Sequence, residues 1–252
     1  MTVLGLGEAG ARIAADLVAL GVEVRGYDPV AADAPDGVVR FDDPAAAASE
    51  CSVVVSLTTA ATALAAAEAA LPGLSEDTLY ADLNTASPEL KHDIAARVSG
   101  TGTWFADVAL LGPVPALGLG TPALASGSGA RRFADTFEPL GMPVVVVSDE
   151  PGDAAARKLL RSVFMKGLAA SVLESMSAAE AAGHAEWLES EIAAVIGEPL
   201  LERLVDGSHR HAARRVEELA AARELLLELG VEPRITATSA TVLAELSGKE
   251  SN

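Results

Sequence analysis

Gly5-Leu6-Gly7-Glu8-Ala9-Gly10 is a G-x-G-x-x-G loop, and what flanks it decides the fold. Thr2-Val3-Leu4 before it is short and apolar, as a buried first strand should be. Ala11 to Leu20 after it reads as a helix closed by Gly21, and Val22 to Tyr27 resumes strand character before Asp28. A strand before, a helix after and an acid about 20 residues on separate a dinucleotide loop from a chance run of glycines. Each part has its own task. Gly5 permits the tight turn, Gly7 lets the backbone approach a pyrophosphate, and Gly10 allows close packing of helix on strand. The helix N-terminus offers unpaired N–H groups and partial positive charge to phosphates. The whole run, Leu6, Glu8 and Ala9 included, is therefore expected to line the cofactor. Asp28 would accept hydrogen bonds from the adenosine ribose. Its carboxylate suits a free 2′-hydroxyl and repels a 2′-phosphate, which favours NAD over NADP. Arg25, on the same strand, tempers that preference.

Composition sets the outer bounds. A chain of 252 residues can hold one large domain or two modest ones. Half of it is hydrophobic but only 4% aromatic, so the core must be built from Ala, Val and Leu. The formal net charge of −18 argues against nucleic acid, which needs clustered Lys and Arg. The lone cysteine, Cys51, excludes an intrachain disulfide and any multi-cysteine metal site. No metal is expected: HExxH is absent, and His209-Arg210-His211 has a spacing that sends the rings to different helix faces. That triplet reads as a surface loop after Gly207. The first strand begins at Thr2, which leaves no room for a cleavable leader, and no apolar stretch is long enough to span a bilayer. A cytoplasmic protein that engages neither membrane nor nucleic acid is the expectation.

Through about residue 148, short apolar runs alternate with alanine-rich helical stretches. Predicted strands are Thr2–Leu4, Val22–Gly26, Val38–Phe41, Ser52–Leu57, Thr78–Ala81, Trp104–Asp107, Ala123–Ser126 and Val144–Val147. Runs such as Val53-Val54-Val55 suit strands covered on both faces. Strands alternating with helices imply βαβ units and a doubly wound, mostly parallel sheet. The character changes at Asp149-Glu150-Pro151-Gly152. From Asp153 onward the chain reads as nearly continuous helix, the first running to about Ala182 and stopped by Gly183. Two domains follow: residues 1–150, an α/β Rossmann dinucleotide-binding domain, and residues 151–252, all helical. The long first helix needs a partner surface for its apolar stripe, so a homodimer through the C-terminal helices is expected.

Four segments together resemble the β-hydroxyacid dehydrogenases, the group that includes 3-hydroxyisobutyrate and 6-phosphogluconate dehydrogenases. They are GLGEAG at 5–10, ADLNTASP at 81–88, FADVALLGPVP at 105–115 and GDAAARKLLRSVFMKG at 152–167. The chain looks closest to the uncharacterised 6-phosphogluconate-dehydrogenase-like, NAD(P)-dependent branch. Leu57-Thr58-Thr59 and Asp82-Leu83-Asn84-Thr85 both follow predicted strands, where loops surround the ligand crevice of such sheets. Leu57, Thr58, Thr59 and Asn84 are thus expected beside the cofactor. Asn84 and Thr85 offer an amide and a hydroxyl for a carboxylate or the nicotinamide. The plainer reading is that Thr85 or Ser87 caps the next helix.

The resemblance implies that Lys158, opening the long helix after Gly152, is the acid–base residue. A lysine can take and return a hydroxyl proton near neutral pH once burial lowers its pKa. Two departures from the family pattern fall on the substrate side. Ser162 stands where the family carries an asparagine, four residues after the lysine. Leu111-Gly112-Pro113 stands where it carries Ser-Gly-Gly, removing a hydroxyl and an N–H donor. Lys166, a further turn along, is the rival lysine or an anchor for a substrate anion. The implied function is hydride transfer between a nicotinamide and a hydroxyl- or carbonyl-bearing substrate, with Asn84, Thr85, Leu111, Gly112, Ser162 and Lys166 lining its site. The alternatives are imine reduction, or a catalytically silent NAD(P)-binding sensor.

Overall fold

The computed structural model describes residues 1–31 and 33–249. It divides into two compact units, Met1–Lys158 and Leu159–Asn252. In the first, strands β1 (Thr2–Leu4), β2 (Val24–Tyr27), β3 (Val38–Arg40), β4 (Val53–Ser56), β5 (Leu79–Asp82), β6 (Trp104–Leu110), β7 (Ala123–Ser126) and β8 (Val144–Ser148) form one sheet ordered β3-β2-β1-β4-β5-β6-β7-β8. The first six are parallel, in the order that brings a dinucleotide to the crevice beside β1 and β4.

Neighbouring residues on the central strands serve opposite faces. Val3, Val55, Leu79 and Ala106 pack against α1 (Glu8–Ala19) and α6 (Ala130–Phe137), where Phe133 and Phe137 stack with ring centroids 4.4 Å apart. Leu4, Val54, Tyr80 and Phe105 pack against α3 (Ala60–Ala70) and α4 (Pro88–Ser99). The alanines Ala63, Ala67 and Ala70 are fully buried on α3, so small side chains make up the helix surface here.

One pairing departs from the wholly alternating βαβ pattern. β7 runs antiparallel to β6, and β8 follows β7. The segment between β6 and β7 carries only short helical turns, the first being α5 (Val114–Leu117). Parallel return needs a crossover long enough to travel back along the sheet, usually a full helix. The chain here doubles back instead.

A buried ion cluster joins this sheet to the next helix. Asp82 on β5 lies directly opposite Asp107 on β6. Lys91 of α4, fully buried, donates to Asp82 Oδ1, to the Asp82 carbonyl at 2.9 Å, and pairs with Asp107 Oδ1 at 3.2 Å. Burial opposes charge on Lys91, but the two carboxylates outweigh it and hold its pKa above the ordinary value. Asp107 Oδ2 meanwhile accepts from the backbone N–H groups of Gly152 (3.1 Å) and Ala155 (3.0 Å) at the start of α7 (Asp153–Ala181). Ser126 Oγ takes the N–H of Ala154 at 3.0 Å. A carboxylate at this end of a helix is also favoured by the helix dipole.

The second unit is helical: most of α7, then α8 (Ala185–Ile196), α9 (Glu198–Arg210), α10 (Ala212–Glu228) and α11 (Arg234–Lys249). Ala169, Val172, Leu201 and Leu204 centre its core. The expected loop after Gly207 is not a loop. α9 continues through Gly207 to Arg210, and His211 is the break before α10. Glycine fits at 207 because the guanidinium of Arg215, which donates to Ser208 Oγ, lies where a side chain there would have to go.

Replacing Lys91 by Met leaves two adjacent buried carboxylates without their cation. The expected loss is about 3–5 kcal/mol of stability, read from urea unfolding at neutral pH. Because the pKa of Lys91 is raised on folding, its contribution is complete below the unfolded value of about 10.4 and fades as pH rises through the folded one.

Candidate functional site

The glycine loop is built on contacts that only glycine permits. A Cβ on Gly5 would sit 2.3 Å from the Leu57 carbonyl oxygen, and one on Gly10 only 1.9 Å from the Gly5 carbonyl oxygen. Gly7 is different. A Cβ there meets nothing within 4 Å, so the protein itself does not demand glycine. The open space is what a pyrophosphate lying on the backbone would fill. Gly7 is the N-cap of α1 with no side-chain cap, leaving the first-turn N–H groups, at Glu8, Ala9 and Gly10, available to an anion.

Asp28 grips the loop. Its Oδ2 accepts from Leu6 N at 2.7 Å, and its Oδ1 from Val30 N and Ala31 N, each at 2.8 Å. Burial would raise its pKa, but these three donors and the nearby Arg40 together hold it below the ordinary carboxylate value. A carboxylate has about four acceptor positions. Three are used by the backbone, which leaves room for a ribose hydroxyl. Arg25 is directed elsewhere: its guanidinium donates to the Ser49 carbonyl at 2.6 Å and covers the Phe41 ring at 5.4 Å. The cation beside Asp28 is Arg40, which donates to the Asp28 carbonyl at 3.2 Å and to that of Ala31.

At the carboxyl ends of β4 and β5 the expected residues separate by task. Leu57 supplies the carbonyl under Gly5. Thr58 is half-buried. Thr59 is occupied as the cap of α3, exchanging hydrogen bonds with Thr62. Asn84 is buried and held by Asp82 and Ser56. The capping alternative for 85–88 resolves cleanly. Ser87 Oγ accepts from Leu90 N at 3.2 Å and caps α4, while Thr85 Oγ1 accepts from Lys158 Nζ at 2.6 Å. Lys158 is thus brought to Thr85, the residue after Asn84, beyond the carboxyl end of β5.

Leu111 and Gly112 are held from another side. Leu111 N donates to the Pro122 carbonyl at 2.8 Å, and the Leu117 side chain closes over Gly112. α1 clamps the same loop: Arg12 donates to the Pro115 carbonyl at 2.7 Å and Asp16 accepts from Leu119 N at 2.9 Å.

In the second unit, Ser162 and Lys166 do meet, at 3.1 Å, but Lys166 is also paired with Glu218, which Arg214 reaches at 3.3 Å. Burial holds the pKa of Lys166 below the ordinary lysine value in spite of that carboxylate. Sequence reading missed Glu218 as it missed Lys91. Both sit in helices rich in charge, where a lysine or glutamate ordinarily faces solvent.

Residues 1–147 match the NAD binding domain of 6-phosphogluconate dehydrogenase, and residues 179–246 match a domain of unknown function, DUF1932. An uncharacterised 28.5 kDa protein of Methanothermus fervidus is 30% identical over 162 residues, 62% of this chain and 61% of that protein. An NADH-dependent oxidoreductase of Aspergillus ustus is 30% identical over 113 residues, 45% of this chain and 38% of that one. The chain therefore aligns with less than two thirds of the length of these curated relatives. The fold is that of the Mycobacterium tuberculosis 3-hydroxyisobutyrate dehydrogenase, solved with L-serine: TM-score 0.83 at 21% identity, covering 98% of this chain and 93% of that one. With more than half of its length matched to that NAD-binding domain and the loop contacts to support it, this chain belongs to the 6-phosphogluconate dehydrogenase family of NAD-binding proteins.

Proposed function

We propose that this protein is an NAD(P)-dependent oxidoreductase acting on a hydroxyl- or carbonyl-bearing substrate of β-hydroxyacid type, with Lys158 as general acid–base. The observation that carries the proposal is the 2.6 Å hydrogen bond from Lys158 Nζ to Thr85 Oγ1, in the segment beyond the carboxyl end of β5 that also carries Asn84. A bound nicotinamide would accept or supply the hydride. The residues of the chain handle the proton. In oxidation Lys158 takes it from the substrate hydroxyl, and in reduction it returns it to the oxygen. Thr85 Oγ1, by accepting from Lys158 Nζ, holds the ammonium group in one direction. The negative charge of Asp28 supports NAD over NADP, and Arg40 beside it tempers that preference. Lys166 is the rival lysine: it is paired with Glu218, and burial holds its pKa below the ordinary value. It and Ser162 are proposed to receive a polar or anionic substrate group.

The second unit also supports self-association. Phe164, Trp187, Val195 and Ile235 are each more than 60% exposed, and no residue of α8 is buried. A homodimer formed through these helices is expected to show twice the monomer mass in light scattering, falling to the monomer mass when Trp187 and Val195 are both changed to Glu.

Lys158→Met is expected to lower turnover about 100- to 10,000-fold while cofactor affinity stays near wild type. A variant that turns over at the wild-type rate rejects the assignment. Binding of NADH without turnover on a broad panel of hydroxy acids and imines would instead identify a dinucleotide sensor. Gly7→Val should fold with nearly wild-type stability, because its Cβ has space, yet bind NADH at least about 10-fold more weakly. Gly10→Val should fail to fold.

A further inference from the structure

Lys91 is fully buried, and the proton transfer proposed above does not use it. It nevertheless holds both of the segments that meet where Lys158 donates to Thr85. The first is the end of β5. Lys91 Nζ donates to the Asp82 side chain and to the Asp82 carbonyl at 2.9 Å. The turn beyond the strand is wrapped on the same carboxylate, whose Oδ1 accepts from Asn84 N at 3.2 Å and whose Oδ2 accepts from Asn84 Nδ2 at 2.8 Å. An aspartate that takes the N–H two residues on fixes the local path of the chain, and Thr85 is the next residue. The second segment is the start of α7. Asp107 Oδ1 is paired with Lys91 Nζ at 3.2 Å. Its Oδ2 accepts from Gly152 N at 3.1 Å, Ala155 N at 3.0 Å and the Ser126 hydroxyl at 3.2 Å. Lys158 follows Ala155 by about one helical turn.

Stability alone does not call for such a cluster, because apolar side chains of the same volume hold a core at least as well as buried ions. What apolar side chains cannot do is accept N–H groups from both segments at once. Two carboxylates directly opposite each other on neighbouring strands can do so while ionised only with a cation between them. We propose that Lys91 is a positioning residue for the acid–base lysine: with Asp82 and Asp107 it sets the two segments so that Lys158 reaches Thr85. This rests on the acid–base reading above and adds to it a residue that touches neither substrate nor cofactor. Both partners of the 2.6 Å contact then take their place from one cation, Thr85 three residues after Asp82 and Lys158 three residues after Ala155.

The test reads the Lys158 side chain directly. Lysine Cε is labelled with 13C in the full-length protein, and the Lys158 signal is identified by its loss from Lys158→Met. Thr85→Ala, which removes the acceptor, gives the position of that signal when the contact is broken. Lys91→Met is expected to move the signal toward that position. Phe137→Ala deletes a fully buried ring of α6, on the other face of the sheet, at a comparable cost in stability, and should leave the signal in place. Should Lys91→Met fail to fold, it is combined with Asp82→Asn and Asp107→Asn, which removes all three charges, and the same shift is expected. Turnover of the same proteins should show kcat lower by about 10-fold or more without Lys91, with NADH affinity unchanged, and near wild type in Phe137→Ala. A signal or a kcat left unmoved by loss of Lys91, or shifted as far in Phe137→Ala, overturns the proposal. If the wild type turns over nothing on a broad panel of hydroxy acids and imines, the acid–base reading fails, and the Lys158 signal alone decides whether Lys91 positions that side chain.

Discussion

Two aspartates face each other on adjacent parallel strands, and a fully buried lysine lies between them. Asp82 and Asp107 would repel if left alone in a low-dielectric interior. Lys91 removes that conflict and, in doing so, makes two separate arrangements possible. Through Asp82 it orients the amide of Asn84. Through Asp107 it completes the acceptor on which α7 begins, two turns before Lys158. A buried ion pair rarely adds net stability over an apolar substitute of the same shape. Its contribution here is direction: two polar side chains of the candidate site take their aim from the same three charges.

The cofactor side is organised by backbone contact more than by side chains. Gly5 and Gly10 let α1 sit against β1 and the Leu57 carbonyl, and Asp28 ties Leu6 to the segment after β2. α1 then reaches forward. Arg12 and Asp16 bind the loop after β6, so the helix that would carry the pyrophosphate also shapes the segment holding Leu111 and Gly112. Leu111-Gly112-Pro113 does not therefore begin a slack loop. It begins one held by carbonyl and carboxylate contacts from outside.

What could be seen in the sequence was the chemistry that is local in it. GLGEAG with Asp28, the βαβ alternation and the long helix from Asp153 are all written in neighbouring residues, and the structure carries them. Strand direction is not. The periodicity of Ala123–Ser126 is the same whether the strand runs up or down, and only the shortness of the helical turns before it determines the reversal. Lys91 and Glu218 escaped notice because their partners lie far away in sequence, although aspartates ending the apolar runs at 79–82 and 105–107 were a usable sign that some cation must be buried nearby. The continuation of α9 through Gly207 was hidden for a similar reason: a glycine reads as a break until the arginine that needs its space is known.

The anchoring of α7 has an angular meaning. Asp107 and Ser126 grasp the N–H groups of Gly152, Ala154 and Ala155, so the helix cannot turn about its axis as it leaves the sheet. Each residue of an α-helix advances about 100°, and the two residues between Ala155 and Lys158 set where the ammonium group points. Adding or removing a single residue in Ala156-Arg157 would swing it roughly a quarter turn or more away from Thr85, with every hydrogen bond of the anchor still intact. The length of that short segment is therefore under tighter constraint than its composition.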